Sequence, residues 1–63
     1  MDGYGVYKFS TGEIYDGMWV NGRREGLGVN YFANGNIYDG AWLDDHMHGY
    51  GIYMFTSGEK YKG

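Results

Sequence analysis

The 63-residue chain contains no cysteine and no proline. Without cysteine there is no disulfide scaffold and no thiolate zinc site. No run approaches the roughly 18 apolar residues of a spanning helix, and no basic start leads into an apolar stretch. Neither a membrane span nor a signal peptide is therefore expected. Positive charge is scarce as well. Five Lys and Arg against eight Asp and Glu leave a net charge of −3, which argues against strong attraction to nucleic acid or anionic lipid. The sequence also lacks a Ser-His-Asp set, a Cys nucleophile and a phosphate-cradling loop ahead of a helix, so neither an enzyme nor a cofactor is expected. What it has in excess is glycine, 13 residues, together with 8 Tyr, 3 Phe and 2 Trp. That aromatic content, 21%, is far above what a disordered tail carries.

The excess is organised by repetition. Residues 15–37 and 38–60 form two 23-residue units identical at eight positions: Tyr15/Tyr38, Asp16/Asp39, Gly17/Gly40, Trp19/Trp42, Gly26/Gly49, Gly28/Gly51, Phe32/Phe55 and Gly35/Gly58. Residues 2–14 align with the second half of a unit, and residues 61–63 open another. The whole chain, 1–63, thus reads as one repeat domain cut from an array. Within each unit the period is two. Strand-like runs fall at Tyr4–Phe9, Ile14–Val20, Leu27–Phe32, Ile37–Leu43, Tyr50–Phe55 and Glu59–Lys62. The turn clusters between them are 10–12, 21–22, 33–35 and 56–58, and the run 44–48 occupies the hairpin turn that 21–25 forms in the preceding unit. Because every connection is short, neighbouring strands run antiparallel. The expected fold is all-β, a single-layer meander of about six strands stacked as hairpins.

Period two also places rings and glycines together. Tyr15, Gly17 and Trp19 share a face, as do Tyr38, Gly40 and Trp42. The intervening strands add Gly26, Gly28 and Phe32, then Gly49, Gly51, Tyr53 and Phe55. A ring lying over a strand glycine repairs the weak spot that glycine leaves, and glycine gives the ring room.

The pattern YxGxW…GxG…F…G at a 23-residue period resembles the MORN (membrane occupation and recognition nexus) repeat. Tyr15, Gly17, Trp19, Gly26, Gly28, Phe32 and Gly35 carry it, and so do Tyr38, Gly40, Trp42, Gly49, Gly51, Phe55 and Gly58. Gly3, Gly5, Phe9 and Gly12 match its second half. The resemblance implies an elongated single-layer sheet with an aromatic-lined groove and no catalytic residues of its own. It also implies a scaffold or partner-binding role in the cytoplasm, at cytoskeletal, ciliary or membrane-associated structures. The residue between the motif Gly and Trp is frequently polar in that family but is Met18 and Ala41 here. The mixture of Gly, Trp and Tyr is also similar to choline-binding repeats, but the intact YDGxW and GxG spacing favours MORN.

Two surfaces are candidates for a partner. One is the set of groove aromatics Tyr15, Trp19, Phe32, Tyr38, Trp42, Tyr53 and Phe55, which serve the fold first and grip an apolar segment wherever they remain uncovered. The other is the opposite face, where Met18, Leu27, Val29 and Ile52 belong to an apolar field that a lone sheet layer cannot bury. A protein partner, as a helix or extended segment, or a second copy joined by face or edge, is expected to cover one of them. Arg23 and Arg24 are the candidate contacts for acidic phospholipid. They fall short of the roughly four to eight basic residues that electrostatic membrane binding needs. Asp44, His46 and His48 have metal-ligating side chains, but the matching positions of the preceding unit hold no ligands, so they read as a solvated turn and no metal site is expected. Lys8, Lys60 and Lys62 fall on edge strands, where lysine discourages strand addition.

Overall fold

The computed structural model describes residues 2–63; Met1, the first residue of the expected repeat domain, lies outside the described residues. Six strands form one antiparallel sheet in chain order: β1 (Gly3–Lys8), β2 (Ile14–Val20), β3 (Arg23–Tyr31), β4 (Ile37–Leu43), β5 (His46–Met54) and β6 (Lys60–Lys62). The molecule measures 34 × 26 × 14 Å, and its short dimension matches one sheet layer with its side chains. The expected all-β meander is what the chain adopts. No helix among the described residues is long and apolar enough to cross a membrane.

Two kinds of turn alternate. The connections β1–β2, β3–β4 and β5–β6 repeat one hydrogen-bond pattern. The amide of Phe9 donates to Glu13 O and that of Gly12 to Phe9 O; Phe32 and Phe55 anchor the same pair of bonds in their units. The connections β2–β3 and β4–β5 are two-residue turns with positive φ at both positions, Asn21 (52°) and Gly22 (77°), then Asp44 (55°) and Asp45 (70°). These are the values a type I′ hairpin turn demands.

That geometry corrects the expected boundaries. The segments 21–25 and 44–48 are not turns as a whole: β3 and β5 begin at Arg23 and His46, directly after the two-residue turns. His46 and His48 are accordingly exposed residues of a strand. The early start was hidden by an irregularity in the ladder. Between the pairs Gly17↔Gly28 and Trp19↔Arg24, β2 advances by two residues and β3 by four, and β4 and β5 repeat this between Gly40↔Gly51 and Trp42↔Met47. Gly26 and Gly49 absorb the extra residues at φ 82° and 71°, a conformation for which side chains other than glycine incur strain.

Candidate functional site

One face of the sheet carries a ladder of interlocked rings. Tyr15, Trp19, Tyr38 and Trp42 form the buried core, with Phe9, Phe32 and Tyr53 packed against it. Trp42 lies edge-to-face between Tyr15 (5.4 Å) and Tyr38 (5.2 Å), and Trp19 meets Tyr15 at 5.0 Å and Tyr7 at 6.0 Å. Such pairs each contribute about 0.5–1.5 kcal/mol beyond the area they bury. The polar end of each ring is satisfied by the backbone. Tyr15 donates to Met18 O at 3.1 Å and Tyr38 to Ala41 O at 3.0 Å. Each tryptophan reaches back 14 residues, Trp19 Nε1 to Gly5 O (3.1 Å) and Trp42 Nε1 to Gly28 O (3.2 Å).

The glycine pairs divide their labour. Gly26 and Gly49 provide backbone conformation, whereas Gly28 and Gly51 provide room: a Cβ on either would overlap the ring of Tyr15 or Tyr38. Burial disfavours the phenolate and so raises the pKa of both tyrosines above the ordinary phenol value.

Four of the expected partner contacts, Tyr15, Trp19, Tyr38 and Trp42, are therefore closed within the fold. Phe32 and Tyr53 are half-buried and stack at 5.5 Å, and Phe55 is exposed. A trough of about 320 Å³ opens beside them, walled by Tyr38, Met47, Gly51, Tyr53, Phe55 and Tyr61.

At the matching place in the preceding unit stands a polar cluster that sequence reasoning missed. The Arg24 guanidinium lies 4.5 Å from the Trp42 ring centre and 5.8 Å from that of Tyr15. Its Nε donates to Asp45 Oδ1 at 3.0 Å, and one terminal nitrogen donates to Asn30 Oδ1 at 3.3 Å. Asn30, fully buried, donates in turn to Glu13 Oε2, which Arg24 also approaches at 3.8 Å. The backbone N–H of Arg24, and then its guanidinium, hold the Asp45 carboxyl below its ordinary range. The available signal for Asn30 was its parity with Gly28 and Phe32, since a polar side chain on a ring-covered face needs partners. Arg24 is thus committed to the groove. Arg23, on the rim, pairs with Asp44 at 2.9 Å while both remain exposed. The two guanidinium groups thus have separate carboxylate partners, Asp45 and Asp44.

The opposite face is bare. Leu27 is 71% exposed, Tyr4 67% and Tyr50 64%, with Met18, Val20, Tyr31 and Leu43 exposed around them. Val29 and Ile52 are partly covered within the same field. The register aligns one row across it as Val6, Asp16, Val29, Asp39, Ile52 and Lys62. Two carboxylates therefore alternate with Val6, Val29 and Ile52 along a line that ends in Lys62, and Tyr4 donates its hydroxyl hydrogen to Asp16. Lys8 and Lys60 stand on the two outer strands.

No curated protein matches the chain. The family profile described as MORN repeat matches residues 1–14, 15–37 and 38–60. That profile describes a non-catalytic repeat, generally associated with interaction modules for proteins and membranes. With nearly every residue inside a matched segment and the six-strand meander in place, the chain belongs to the MORN repeat family.

Proposed function

We propose that the chain is a non-enzymatic interaction module that binds a partner protein segment on the open face of its sheet. One observation carries this reading: the contiguous apolar field running from Tyr4 and Val6 through Met18 and Leu27 to Tyr50, exposed among the described residues, with Val29 and Ile52 partly covered within it. Contiguous apolar surface of this kind on a soluble sheet marks a contact surface. Asp16 and Asp39 within it favour an amphipathic segment, helical or extended, whose apolar side carries Lys or Arg at matching places. The ring ladder on the other face keeps the sheet rigid without needing a second layer.

Hydrophobic-dye binding and solution mass, measured together, test the reading. The native chain is expected to enhance dye fluorescence or to self-associate, and Leu27→Glu with Tyr50→Glu should abolish either behaviour while preserving the strand spectrum. A strict monomer that binds no dye would contradict it.

A further inference from the structure

Two carboxylates on the open face are spaced as a helix is spaced and not as a strand is. Asp16 on β2 and Asp39 on β4 both pair with Val29 on β3, so the three stand in one line across the strands. Neighbouring strands lie about 4.8 Å apart, which sets the two carboxylates about 10 Å from each other. Both belong to interior strands paired on either side, so the line depends on neither end of the chain. None of the ion pairs among the described residues involves Asp16 or Asp39, and Asp39 is exposed. Lys8, Lys60 and Lys62 of the same face stand on the outer strands, and Arg23, opposite Val20, is paired with Asp44. Only Val29 lies between the two negative charges.

The spacing decides between the two forms of segment. An extended chain crossing the strands returns a side chain to the same side every second residue, at about 6.8 or 13.6 Å. Neither distance spans the pair. A helix rises about 10.5 Å in seven residues and turns to within about 20° of its starting direction, so one stripe meets both carboxylates. The residues three and four along that stripe fall between them, one on each side of the centre line. They come down over Val29, with Leu27 and Tyr31 on its two sides along β3, 71% and 41% exposed.

We infer that the open face takes an α-helix of another protein, laid across the strands, with Lys or Arg seven residues apart over Asp16 and Asp39. Apolar side chains at the two intervening stripe positions pack on Val29, Leu27 and Tyr31. This deepens the proposed function and rests on the open face being the contact surface. Apolar burial supplies most of the affinity, and the paired cations set the register and choose the partner. A bilayer of acidic lipid fits this face poorly, because its headgroups meet Asp16 and Asp39 with like charge.

The probe is a capped peptide of about 20 residues, long enough to hold a helix in water, with leucines along one stripe and two arginines seven apart on it. A control of the same composition places the second arginine five residues after the first, off the stripe. Titration into the full chain, followed by amide and methyl NMR shifts, should show saturable binding centred on Met18, Leu27, Val29 and Asp39. The control should bind roughly two- to fivefold more weakly, the range an exposed ion pair supplies. Asp39→Asn should erase that difference, and Asp39→Lys should favour a peptide with glutamate in place of the second arginine. Equal affinity for the two peptides, or a difference that survives Asp39→Asn, would overturn the helix register. Binding still abolished by Leu27→Glu would then leave the open face as the contact surface, whereas shifts centred on the ring face would overturn that surface too. No shift at millimolar peptide would overturn the helix, and dye binding by the same sample would show whether the surface stands. Sedimentation with phosphatidylserine vesicles but not neutral ones, lost in Leu27→Glu, would overturn the helix in favour of a bilayer.

Discussion

The units 15–37 and 38–60 carry the same eight motif residues, yet their grooves are closed by different means. In the first, Trp42 arrives from the next unit and Arg24, Asn30, Glu13 and Asp45 fill the remaining space with a connected polar network. In the second, the positions of Arg24 and Asn30 hold Met47 and Tyr53, and a trough lies beside them among the described residues. The hairpin turns differ in the complementary sense. Asn21-Gly22 carries a glycine at its second position, and its Asn21 N–H donates to Asp2 Oδ1 at 2.6 Å, whereas Asp44-Asp45 places two non-glycine residues at positive φ and is held there by Arg23 and Arg24. Each unit of such an array therefore depends on what its neighbour supplies, and identical motifs do not imply equal local stability.

Substitutions can sharpen that contrast. Trp42→Ala should have the largest effect, about 3–5 kcal/mol for a buried aromatic. That equals roughly all the stability a chain of this size holds, so a thermal melt should show no cooperative transition. Gly28→Ala places a Cβ in the Tyr15 ring, which is boxed between two tryptophans, and overpacking of this kind costs about 1–3 kcal/mol. Gly51→Ala creates the same clash with Tyr38 but beside the open trough. Its urea midpoint should fall less, and equal losses would argue that the second groove is as tight as the first.

Arg24→Met, which gives the first unit the second unit's residue, leaves Asn30 and Glu13 short of a partner and should cost about 1–3 kcal/mol. The reciprocal Met47→Arg lacks an equivalent of Asn30 and should move the melting temperature little, within about 0.5 kcal/mol. The smallest effect concerns pH. Burial raises Tyr15 and Tyr38, so their contribution is complete below the ordinary phenol value near about 10 and disappears as pH climbs through the higher native value. Tyr15→Phe should flatten the alkaline loss of stability seen in melts across that range.

The meander, the ring–glycine device and the face assignment were all legible in the sequence. Period two and the 23-residue repeat report backbone direction and burial without any long-range information. The true starts of β3 and β5 were not legible, because the extra residues at Gly26 and Gly49 break the alternation that a strand search follows. Arg24 was misleading for a related reason. Next to Arg23 it reads as half of an exposed basic pair, and only the bulge turns its side chain under the rings, against Trp42 from 18 residues away. The apolar field was visible as composition, but its emptiness depends on three-dimensional coverage.

Hydrogen exchange at two equivalent amides tests the difference between the units most directly. Gly26 is paired with Trp42 on β4, while Gly49 has no partner on the β6 side among the described residues. The Gly26 N–H should exchange only as slowly as global unfolding permits, and the Gly49 N–H at close to the rate of a free peptide. Equal protection at both positions would contradict an open second groove.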